Sequence, residues 1–482
     1  MLEAIPRYTT PPFTHRALLS IVILLLCVSA FLLIQNGCGA ARTPVQHVVI
    51  VFQENRTPDN LFHDPILISR GADIADRGLN SKGQTILLDQ IDLGTKGGRA
   101  DNYDLDHSHA SFVKMCHMNE PTGICTMDGA DLIYVGCTPG FASCPPVNPQ
   151  FMYVNPADVQ PYFQIAEQYT FADRMFQTNQ GPSFPAHQFI LSGTSAPEAG
   201  SKLFVAENPS GVSYANGHTG CTSPPNEFVN VINSNGVESP IYPCFEHPTL
   251  TDLLNRRGIS WRYYAPGAGS IWTAPNAIQH MCGPNVPPPN ATACVGSDWI
   301  NNVVLATTQN PAPVLTDIAN ERLPNVSWVI PNGLDSDHAQ GNDGSGPSWV
   351  ASIVNAIGHS RYWSNTVILI TWDDWGGWYD HVAPPKMLNS YEYGFRVPLI
   401  VVSPYAKPAH ISHVTHDFGS VLKFIEEVFY LPSLGYADAP ADDLSDCFNF
   451  NQKPIPFQTL AAPLQEEYFL NDRRPPTQPD DD

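Results

Sequence analysis

The chain has 482 residues, of which 43% are hydrophobic and 15% are charged, so it can bury a large core and is not a disordered polymer. Its formal charge of −22 excludes nucleic-acid binding through a broad basic face and disfavours electrostatic adhesion to anionic membranes. A neutral lipid headgroup or a metal-bridged phosphate is compatible with this charge. The length allows several domains, or one large α/β domain with long loops.

The first 41 residues have the features of a targeting segment. Arg7 and Arg16 precede an apolar run over residues 17–34, and small residues follow at 39–41. This order is typical of a cleaved export signal. The run is also nearly long enough to span a bilayer, so an uncleaved N-terminal anchor is the alternative. Both readings predict a secreted, periplasmic or outer-surface protein that contacts a membrane only through this segment, if the segment is retained.

Cysteine usage agrees with export. Eight cysteines beyond the targeting segment lie close to another cysteine in the sequence, and Cys447 is left over. Local disulfides in an oxidising compartment are the natural interpretation, whereas the lack of Cys-x-x-Cys spacing disfavours a zinc–thiolate site. The predicted pairs are Cys116 with Cys125, Cys137 with Cys144, Cys221 with Cys244, and Cys282 with Cys294.

Short apolar runs rich in β-branched residues predict strands buried on both faces, as in a parallel sheet. Helical periodicity lies between them, at 350–357 and at 421–429, where Asp417 is a plausible cap. This alternation predicts a doubly wound, largely parallel α/β sheet with helices on both faces. The predicted strands cover residues 48–52, 259–264, 326–330, 366–370 and 399–402.

Two stretches are rich in Pro, Gly, Asn and Cys, at about 101–150 and 205–300. We predict that they are disulfide-stapled loop insertions that form a cap over the carboxyl edge of the sheet. Residues 42–473 are assigned to one folded domain, and residues 474–482 to a disordered acidic tail.

Acidic and amide side chains follow two of the predicted strands directly. Glu54 and Asn55 come after the first strand, and Asp373 and Asp374 come after the strand at 366–370. Ligands of α/β sheets bind beyond the carboxyl ends of strands. Hard oxygen donors suit a divalent or ferric cation, and two acidic pairs at one edge would repel each other without one. The alternative is that these residues cap the helices that follow.

Ser183 stands in a Gly-Pro-Ser sequence ahead of a predicted helix. The free N–H groups at a helix start favour an anion, and a metal could lower the pKa of the hydroxyl, so this serine is a candidate nucleophile for phosphoryl chemistry. An ordinary N-cap role is the alternative.

Histidines cluster near these motifs, at His107, His338 and His381, and His187 follows Ser183. An imidazole can bind phosphate oxygens or protonate a leaving alkoxide, although a loop histidine often has no such role. The sequence has no Gly-x-Ser-x-Gly elbow, no Walker loop and no Rossmann fingerprint, so those three classes lose support.

Together these segments resemble the bacterial phosphoesterase family that contains phospholipases C and the AcpA-type acid phosphatases. The order and spacing of the motifs match over about residues 45–432. The matching stretches are 47–57, 181–183, 336–338, 371–385 and 394–404.

The resemblance implies an alkaline-phosphatase-like α/β fold and one divalent or ferric metal ion. The implied metal ligands are Glu54, Asn55, Asp373, Asp374 and the nucleophile Ser183. It also implies that His107 and His338 face the phosphate. His381 and His187 are assigned to substrate binding. Many phospholipase C members have Thr in place of Ser183 and Asp-Glu in place of Asp373-Asp374, so this chain is more similar to the acid-phosphatase branch.

The expected function is therefore that of an exported, metal-dependent phosphoric-ester hydrolase, an acid-phosphatase-like phosphomonoesterase with a phosphoserine intermediate. Its expected partner is a small phosphate ester or a phospholipid headgroup, and not a nucleic acid. A phospholipase C acting on phosphatidylcholine-type lipids is the first alternative. A catalytically silent surface binding protein with the same fold is the second.

Overall fold

The computed structural model describes residues 43–94, 102–119, 122–137, 144–210, 219–385 and 391–477, together with Met1 and Ala4. The chain divides into two compact units, Met1–Pro44 and Val45–Asp482, and everything below concerns the second. The predicted export segment and residues 478–482 of the predicted tail lie outside the described residues, apart from those two N-terminal positions.

The strands of the second unit are mostly short. In chain order they are β1 His47–Gln53, β2 Arg77–Leu79, β3 Thr85–Leu87, β4 Asp89–Ile91, β5 Tyr103–Leu105, β6 Met118–Asn119, β7 Ile124–Cys125, β8 Val135–Cys137, β9 Met152–Val154, β10 Thr170–Ala172, β11 Phe204–Val205, β12 Val229–Ile232, β13 Glu238–Ile241, β14 Trp261–Ala265, β15 Val303–Leu305, β16 Val326–Val329, β17 Thr366–Trp372, β18 Leu399–Val402 and β19 His410–Ser412.

Helices connect these strands. The α-helices are Pro58–Leu61, Pro65–Ser69, His109–Cys116, Gln160–Gln168, Ser183–Ser192, Leu250–Arg257, Gln279–Cys282, Ser297–Asn302, Pro313–Ala319, Gly346–Gly358, Phe418–Val428 and Glu466–Asn471. Short 3₁₀ segments cover Ala130–Leu132, Gly220–Thr222, Ala274–Ala277, Gly333–Asp335, Trp363–Asn365 and Ser445–Cys447. Within the part of the chain that the structure describes, none of these helices is both long and apolar enough to cross a bilayer.

Eight strands form the central sheet in the order β15-β14-β16-β1-β17-β18-β10-β19. Neighbouring strands are parallel except where β18 meets β17 and β10. The central strands β16 and β17 are fully buried, as their unbroken apolar sequences predict. The α/β class and the largely parallel sheet are confirmed.

Helices cover both faces of the sheet. Gln53 pairs with Trp372 and Phe52 pairs with the preceding residue of β17, so Phe52 and Trp372 point to opposite faces. Phe52 packs edge-on against Phe418, in a helix that contacts Ser183–Ser192. Trp372 packs against Tyr162, in a helix that contacts Gly346–Gly358. The doubly wound arrangement follows from these two layers.

The four predicted disulfides are present, and each joins the cysteines that are neighbours in the sequence. Cys447 is free and buried. Two of the bonds lie in the predicted first insertion, where β5 pairs with β8 and β6 pairs with β7. Such local bonds are typical of exported proteins.

The predicted second insertion, 205–300, is too long. Residues Trp261–Ala265 within it form β14, a strand of the central sheet next to β16. The aromatic side chains Trp261, Tyr263 and Tyr264 are therefore core residues, and Trp272 is also fully buried. The apolar run at 259–264 predicts this strand, whereas the bounds of the insertion rest on average composition, which resembles that of a loop.

The start of the predicted disordered tail is ordered. The Leu334 N–H donates to Thr477 Oγ1 at 3.0 Å, and Arg474 forms an ion pair with Asp343 at 2.8 Å. The prediction of a disordered tail is thus wrong for residues 474–477, because their partners lie more than a hundred residues away and leave no local trace in the sequence.

Candidate functional site

The sheet topology brings the predicted acidic pairs together. β1 and β17 are parallel and in register, with Gln53 opposite Trp372, so Glu54–Asn55 and Asp373–Asp374 leave adjacent strands at the same edge. β10 is antiparallel to β18, which is antiparallel to β17, so β10 ends at that edge as well. The chain after β10 leads to the helix Ser183–Ser192. These motifs therefore meet at the carboxyl edge, where α/β sheets bind ligands.

Ser183 lies between two of the carboxylates. Its Oγ is 3.3 Å from Asp374 Oδ2 and 3.5 Å from Glu54 Oε2. Pro182 occupies the N-cap position and Ser183 is the first helical residue, so the serine hydroxyl does not cap the helix. Asn208 instead accepts the Phe184 N–H at 3.0 Å. The Ser183 side chain therefore contacts the carboxylates of Glu54 and Asp374 and does not cap its own helix.

Backbone hydrogen bonds fix the ligand candidates. Asp373 Oδ1 accepts the N–H groups of Asn55 at 2.9 Å and Asp374 at 2.8 Å, and Asp374 Oδ1 accepts the Gly376 N–H at 2.7 Å. Gly376 has φ +59°, and a Cβ there would lie 2.5 Å from the Asn55 carbonyl oxygen. Two buried oxygens, Asn55 Oδ1 and Asp373 Oδ2, have no hydrogen-bond partner among the described residues.

The electrostatics of this cluster favour the binding of a cation. Burial, followed by repulsion from Asp373, raises the pKa of Glu54 well above its ordinary value, and the same two causes raise the pKa of Asp374. Among the described residues no arginine or lysine forms an ion pair with Glu54, Asp373 or Asp374. Fixed, desolvated oxygens without a counter-charge are the donor set that hard cations use, so the residues fit a bound metal ion.

His107 contacts a predicted ligand directly. Its Nδ1–H donates to the Leu105 carbonyl at 2.7 Å, and its Nε2 accepts the Asn55 side-chain N–H at 3.2 Å. This bond occupies the Asn55 amide nitrogen and leaves Oδ1 without a hydrogen-bond partner among the described residues. The side chain predicted to face phosphate thus also orients the Asn55 amide.

His338 lies beside His107, with ring centroids 6.0 Å apart. Its Nδ1–H donates to the Ala339 carbonyl at 2.7 Å, and its ring is 6.1 Å from that of Trp272. Both histidines predicted to be catalytic are therefore brought to the same edge as Ser183.

His187 is fully buried, one helical turn after Ser183. Its Nε2 is 3.3 Å from Glu54 Oε1, and burial lowers its pKa to about 4. His187, Glu54 and Asp373 form a group whose potential metal-binding atoms all lie within 4.8 Å of one another. Helical i, i+4 spacing was the available signal that His187 shares a face with Ser183. This position suits a role toward the cation better than the predicted role in substrate binding.

His381 lies outside the cluster that contains Ser183. Its Nδ1 is 2.7 Å from Asp59 Oδ2 and its Nε2 is 3.0 Å from Asp73 Oδ1, so carboxylates hold both ring nitrogens. The predicted substrate-binding role is not supported by this geometry. The partners lie some 300 residues earlier, which no local pattern reveals.

Asn208 is the site residue that the sequence left unnoticed. It lies inside the predicted second insertion, yet it accepts the N–H of Phe184, the second residue of the helix that starts at Ser183. Asparagine is common in loops, so nothing in the sequence singled it out.

A model of the phosphoesterase family matches residues 45–432 of this chain. The chain belongs to the phosphoesterase family. As a member it is an enzyme, a hydrolase of phosphoric esters, which confirms the predicted family and reaction class.

Several curated proteins that are similar to this chain are named phospholipase C. Phospholipase C A of Mycobacterium tuberculosis is 23% identical, with 86% of this chain and 79% of that protein covered. Non-hemolytic phospholipase C of Burkholderia pseudomallei is 30% identical, with 42% of this chain and 36% of that protein covered. A solved member of the alkaline phosphatase superfamily from Vibrio parahaemolyticus is 11% identical with a TM-score of 0.36, covering 82% of this chain and 71% of that one. The last similarity is too low to support a functional argument.

Proposed function

We propose that this phosphoesterase is an exported, metal-dependent hydrolase of small phosphate esters that uses Ser183 as its nucleophile. The observation that carries the proposal is the position of the Ser183 hydroxyl, within 3.3–3.5 Å of two buried carboxylates that pair with no arginine or lysine among the described residues. Glu54, Asn55, Asp373 and Asp374 would hold one divalent or ferric ion together with Ser183. Such an ion acts as a Lewis acid that lowers the pKa of a bound hydroxyl and offsets phosphate charge.

The protein groups then account for the bond changes. Ser183 Oγ passes its proton to Asp374 Oδ2 or Glu54 Oε2 and forms a bond to phosphorus, while the bond from phosphorus to the ester oxygen breaks. The leaving alcohol takes a proton from His338. The His338 ring lies beside those of both His107 and Trp272. Water then attacks phosphorus and gives one proton to His338, the bond from phosphorus to Ser183 Oγ breaks, Oγ recovers its proton from the carboxylate, and phosphate leaves.

Three features support a small, soluble substrate. Ser183 is only 1% exposed, so the reacting phosphorus must enter a deep site. The aromatic residues Trp261, Tyr263, Tyr264 and Trp272, which could have formed a rim that dips into a membrane, are buried instead. The strongly acidic chain also gains nothing from an anionic surface.

A phospholipase C that cleaves phosphatidylcholine-type lipids is the second candidate. It is supported by the names of the curated relatives, one of which aligns over 86% of this chain. A comparison of kcat/KM for an aryl phosphate monoester, a soluble diester and phosphatidylcholine vesicles, with one metal throughout, separates the two. We expect the monoester to be preferred, whereas preference for vesicles with release of diacylglycerol would establish the second candidate.

Ser183→Ala tests the nucleophile. We expect kcat to fall about a thousandfold or more, which corresponds to several kcal/mol of transition-state stabilisation, with folding unchanged. Ser192→Ala is the matched control, because Ser192 is a buried serine at the end of the same helix. Near-normal turnover of the Ser183→Ala variant would remove Ser183 from the mechanism.

Export to an oxidising compartment is proposed on the four disulfides, since such bonds persist outside the cytoplasm. Determining the N-terminus of the mature protein, with fractionation of the producing cell, distinguishes a cleaved signal from a retained anchor. A cytoplasmic protein with reduced cysteines would contradict export.

A further inference from the structure

The surroundings of His187 constrain which of its ring nitrogens carries a proton. The Tyr263 hydroxyl donates its hydrogen to the Trp272 carbonyl at 2.8 Å. The same hydroxyl oxygen is 3.3 Å from His187 Nδ1, and having used its hydrogen it can only accept there. His187 Nδ1 therefore carries the ring hydrogen, and in the neutral imidazole Nε2 carries a lone pair.

That lone pair faces a carboxylate. His187 Nε2 is 3.3 Å from Glu54 Oε1, and both side chains are fully buried. Two acceptors at this distance repel each other unless a proton or a metal cation lies between them. A proton would lie on Glu54 as a neutral carboxyl group or on His187 as an imidazolium, and in either case it would satisfy only this pair. A cation would satisfy His187, Glu54 and Asp373 Oδ2, which has no hydrogen-bond partner among the described residues, at once.

The ring is also held in place by its neighbours. Phe52 meets the imidazole edge-on at 4.8 Å, and the Trp272 ring lies nearly parallel to it at 6.5 Å. Tyr263 supplies the hydrogen bond to the second ring nitrogen. Metal-binding histidines typically have their other nitrogen hydrogen-bonded in this way, which fixes the tautomer and the direction of the free lone pair.

We propose that His187 is a metal ligand, whose Nε2 binds a first-row transition-metal cation together with carboxylate oxygens of Glu54 and Asp373. This inference rests on the metal site of the proposed function and names the class of metal that the site selects. An imidazole among oxygen donors suits zinc, cobalt, copper or iron, whereas magnesium and calcium sites are built from oxygen alone.

The direct test is pulsed EPR of the full chain, stripped with a chelator and loaded with Cu²⁺. We expect a histidine nitrogen coupling in the wild type, its loss in His187→Gln, and its retention in His247→Gln. His247 is the matched control because it is equally buried and packs against Tyr436, away from the acidic cluster. Absence of a nitrogen coupling in the copper-loaded wild type, or its persistence in His187→Gln, would overturn the proposal.

A second test compares the affinities of the wild type and the variant for two metal ions. Zn²⁺ affinity should fall about 10–100-fold or more in His187→Gln, while Mg²⁺ affinity changes little, by isothermal titration. Equal losses for the two metals would contradict a nitrogen ligand.

A third test needs no variant and uses the wild-type protein with ¹⁵N-labelled histidine. If a histidine binds the copper ion, the EPR coupling should change from the ¹⁴N to the ¹⁵N pattern. An unchanged pattern would refute the proposal.

Hydrolysis of an aryl phosphate monoester by the same metal-loaded wild type separates this inference from the proposed function. Hydrolysis without a nitrogen coupling would leave the function standing and remove His187 from the ligand set. A nitrogen coupling without hydrolysis of any phosphate ester would leave the ligand standing and remove the proposed function.

Discussion

Two buried acidic clusters are built from the same two segments of this protein, 54–59 and 373–380, and they differ in where their counter-charge comes from. The first contains Glu54, Asp373 and Asp374 at the carboxyl edge of the sheet. The second contains Asp59 and Asp380. Each includes a group of side chains that could hold a metal ion. Only the second has a cation of its own among the described residues.

That cation is Arg396. Its Nε and one terminal nitrogen lie 2.8 and 2.9 Å from the two Asp380 oxygens, and the same terminal nitrogen lies 3.2 Å from Asp59 Oδ1. Burial raises the pKa of Asp59, but hydrogen bonding from His381 and the charge of Arg396 outweigh it and the pKa is lowered. The second cluster is thus a closed ion-pair network with no need for a metal.

The first cluster differs in its lack of a paired arginine or lysine among the described residues, not in the direction of every shift, because burial also raises the pKa of Asp380 in the second cluster despite Arg396. Burial and mutual repulsion raise the pKa of both Glu54 and Asp374, and two oxygens there have no hydrogen-bond partner in the part of the chain that the structure describes. The comparison teaches that buried carboxylates alone do not identify a metal site. What distinguishes the first cluster is that its carboxylate and amide oxygens are held together without a paired arginine or lysine among the described residues. A bound cation must therefore supply the positive charge.

Hydrogen bonds around the second cluster also fix the relative positions of the two segments that form the first. The Thr57 hydroxyl donates to the Tyr379 carbonyl at 2.9 Å, and the His381 N–H donates to Asp59 at 2.8 Å. These bonds join the segment after Glu54–Asn55 to the segment after Asp373–Asp374, so the ion-pair network braces the two halves of the candidate site.

The largest expected contrast is in activity. Asp374→Asn keeps the side-chain shape and an acceptor for the Gly376 N–H, but it removes one charge from the first cluster. We expect phosphate-ester hydrolysis to fall about a hundredfold or more. The metal-free protein should be no less stable at pH 7, because the raised pKa of Asp374 means that its charged form destabilises the fold. Unfolding by denaturant without metal checks this, and a clear loss of stability would contradict the assignment.

The second cluster should respond in the reverse way. Arg396→Met leaves Asp59 and Asp380 buried without their cation, and we expect a loss of about 3–5 kcal/mol in the free energy of unfolding. Addition of metal should not recover it. Full stability of this variant, or its rescue by a divalent cation, would break the distinction between the two clusters.

A smaller effect is expected at His381, with a pH dependence. Burial lowers its pKa, but the hydrogen bond and charge of Asp59 and the charge of Asp380 outweigh this and raise it to about 9. The stabilisation is therefore complete below the ordinary histidine pKa and is lost as the pH rises through about 9. His381→Asn should cost about 1–2 kcal/mol at pH 6 and nearly nothing at pH 10. An equal cost at both values would show that the ion pairs with Asp59 and Asp73 do not depend on charge.

Much of the site could be predicted because its residues stand at strand ends. The apolar runs before Glu54 and Asp373 end abruptly, and parallel strands bring such ends to one edge. The disulfides could be predicted because each closes a short stretch of chain. His187 was visible through its helical spacing from Ser183, but the sequence does not show that Glu54 Oε1 lies opposite its Nε2.

The remainder depends on long-range contacts. The role of His381 is set by Asp59 and Asp73, which approach it only in the folded chain. Arg396 binds backbone and side-chain groups from four separate segments, so its sequence neighbours do not reveal its function. The strand β14 is itself predicted by the apolar run at 259–264, but its place in the sheet follows from long-range pairing with β15 and β16.

The central claim is that the first cluster is completed by a metal ion, and thermal unfolding of the chelator-stripped chain at pH 7 tests it most directly. A cation that binds only the folded state stabilises it by about 2.7 kcal/mol at a hundredfold excess over its Kd. We predict a rise in Tm with a transition-metal ion in the wild type and no such rise in Asp374→Asn. A wild-type Tm that no divalent or ferric ion changes would contradict the account.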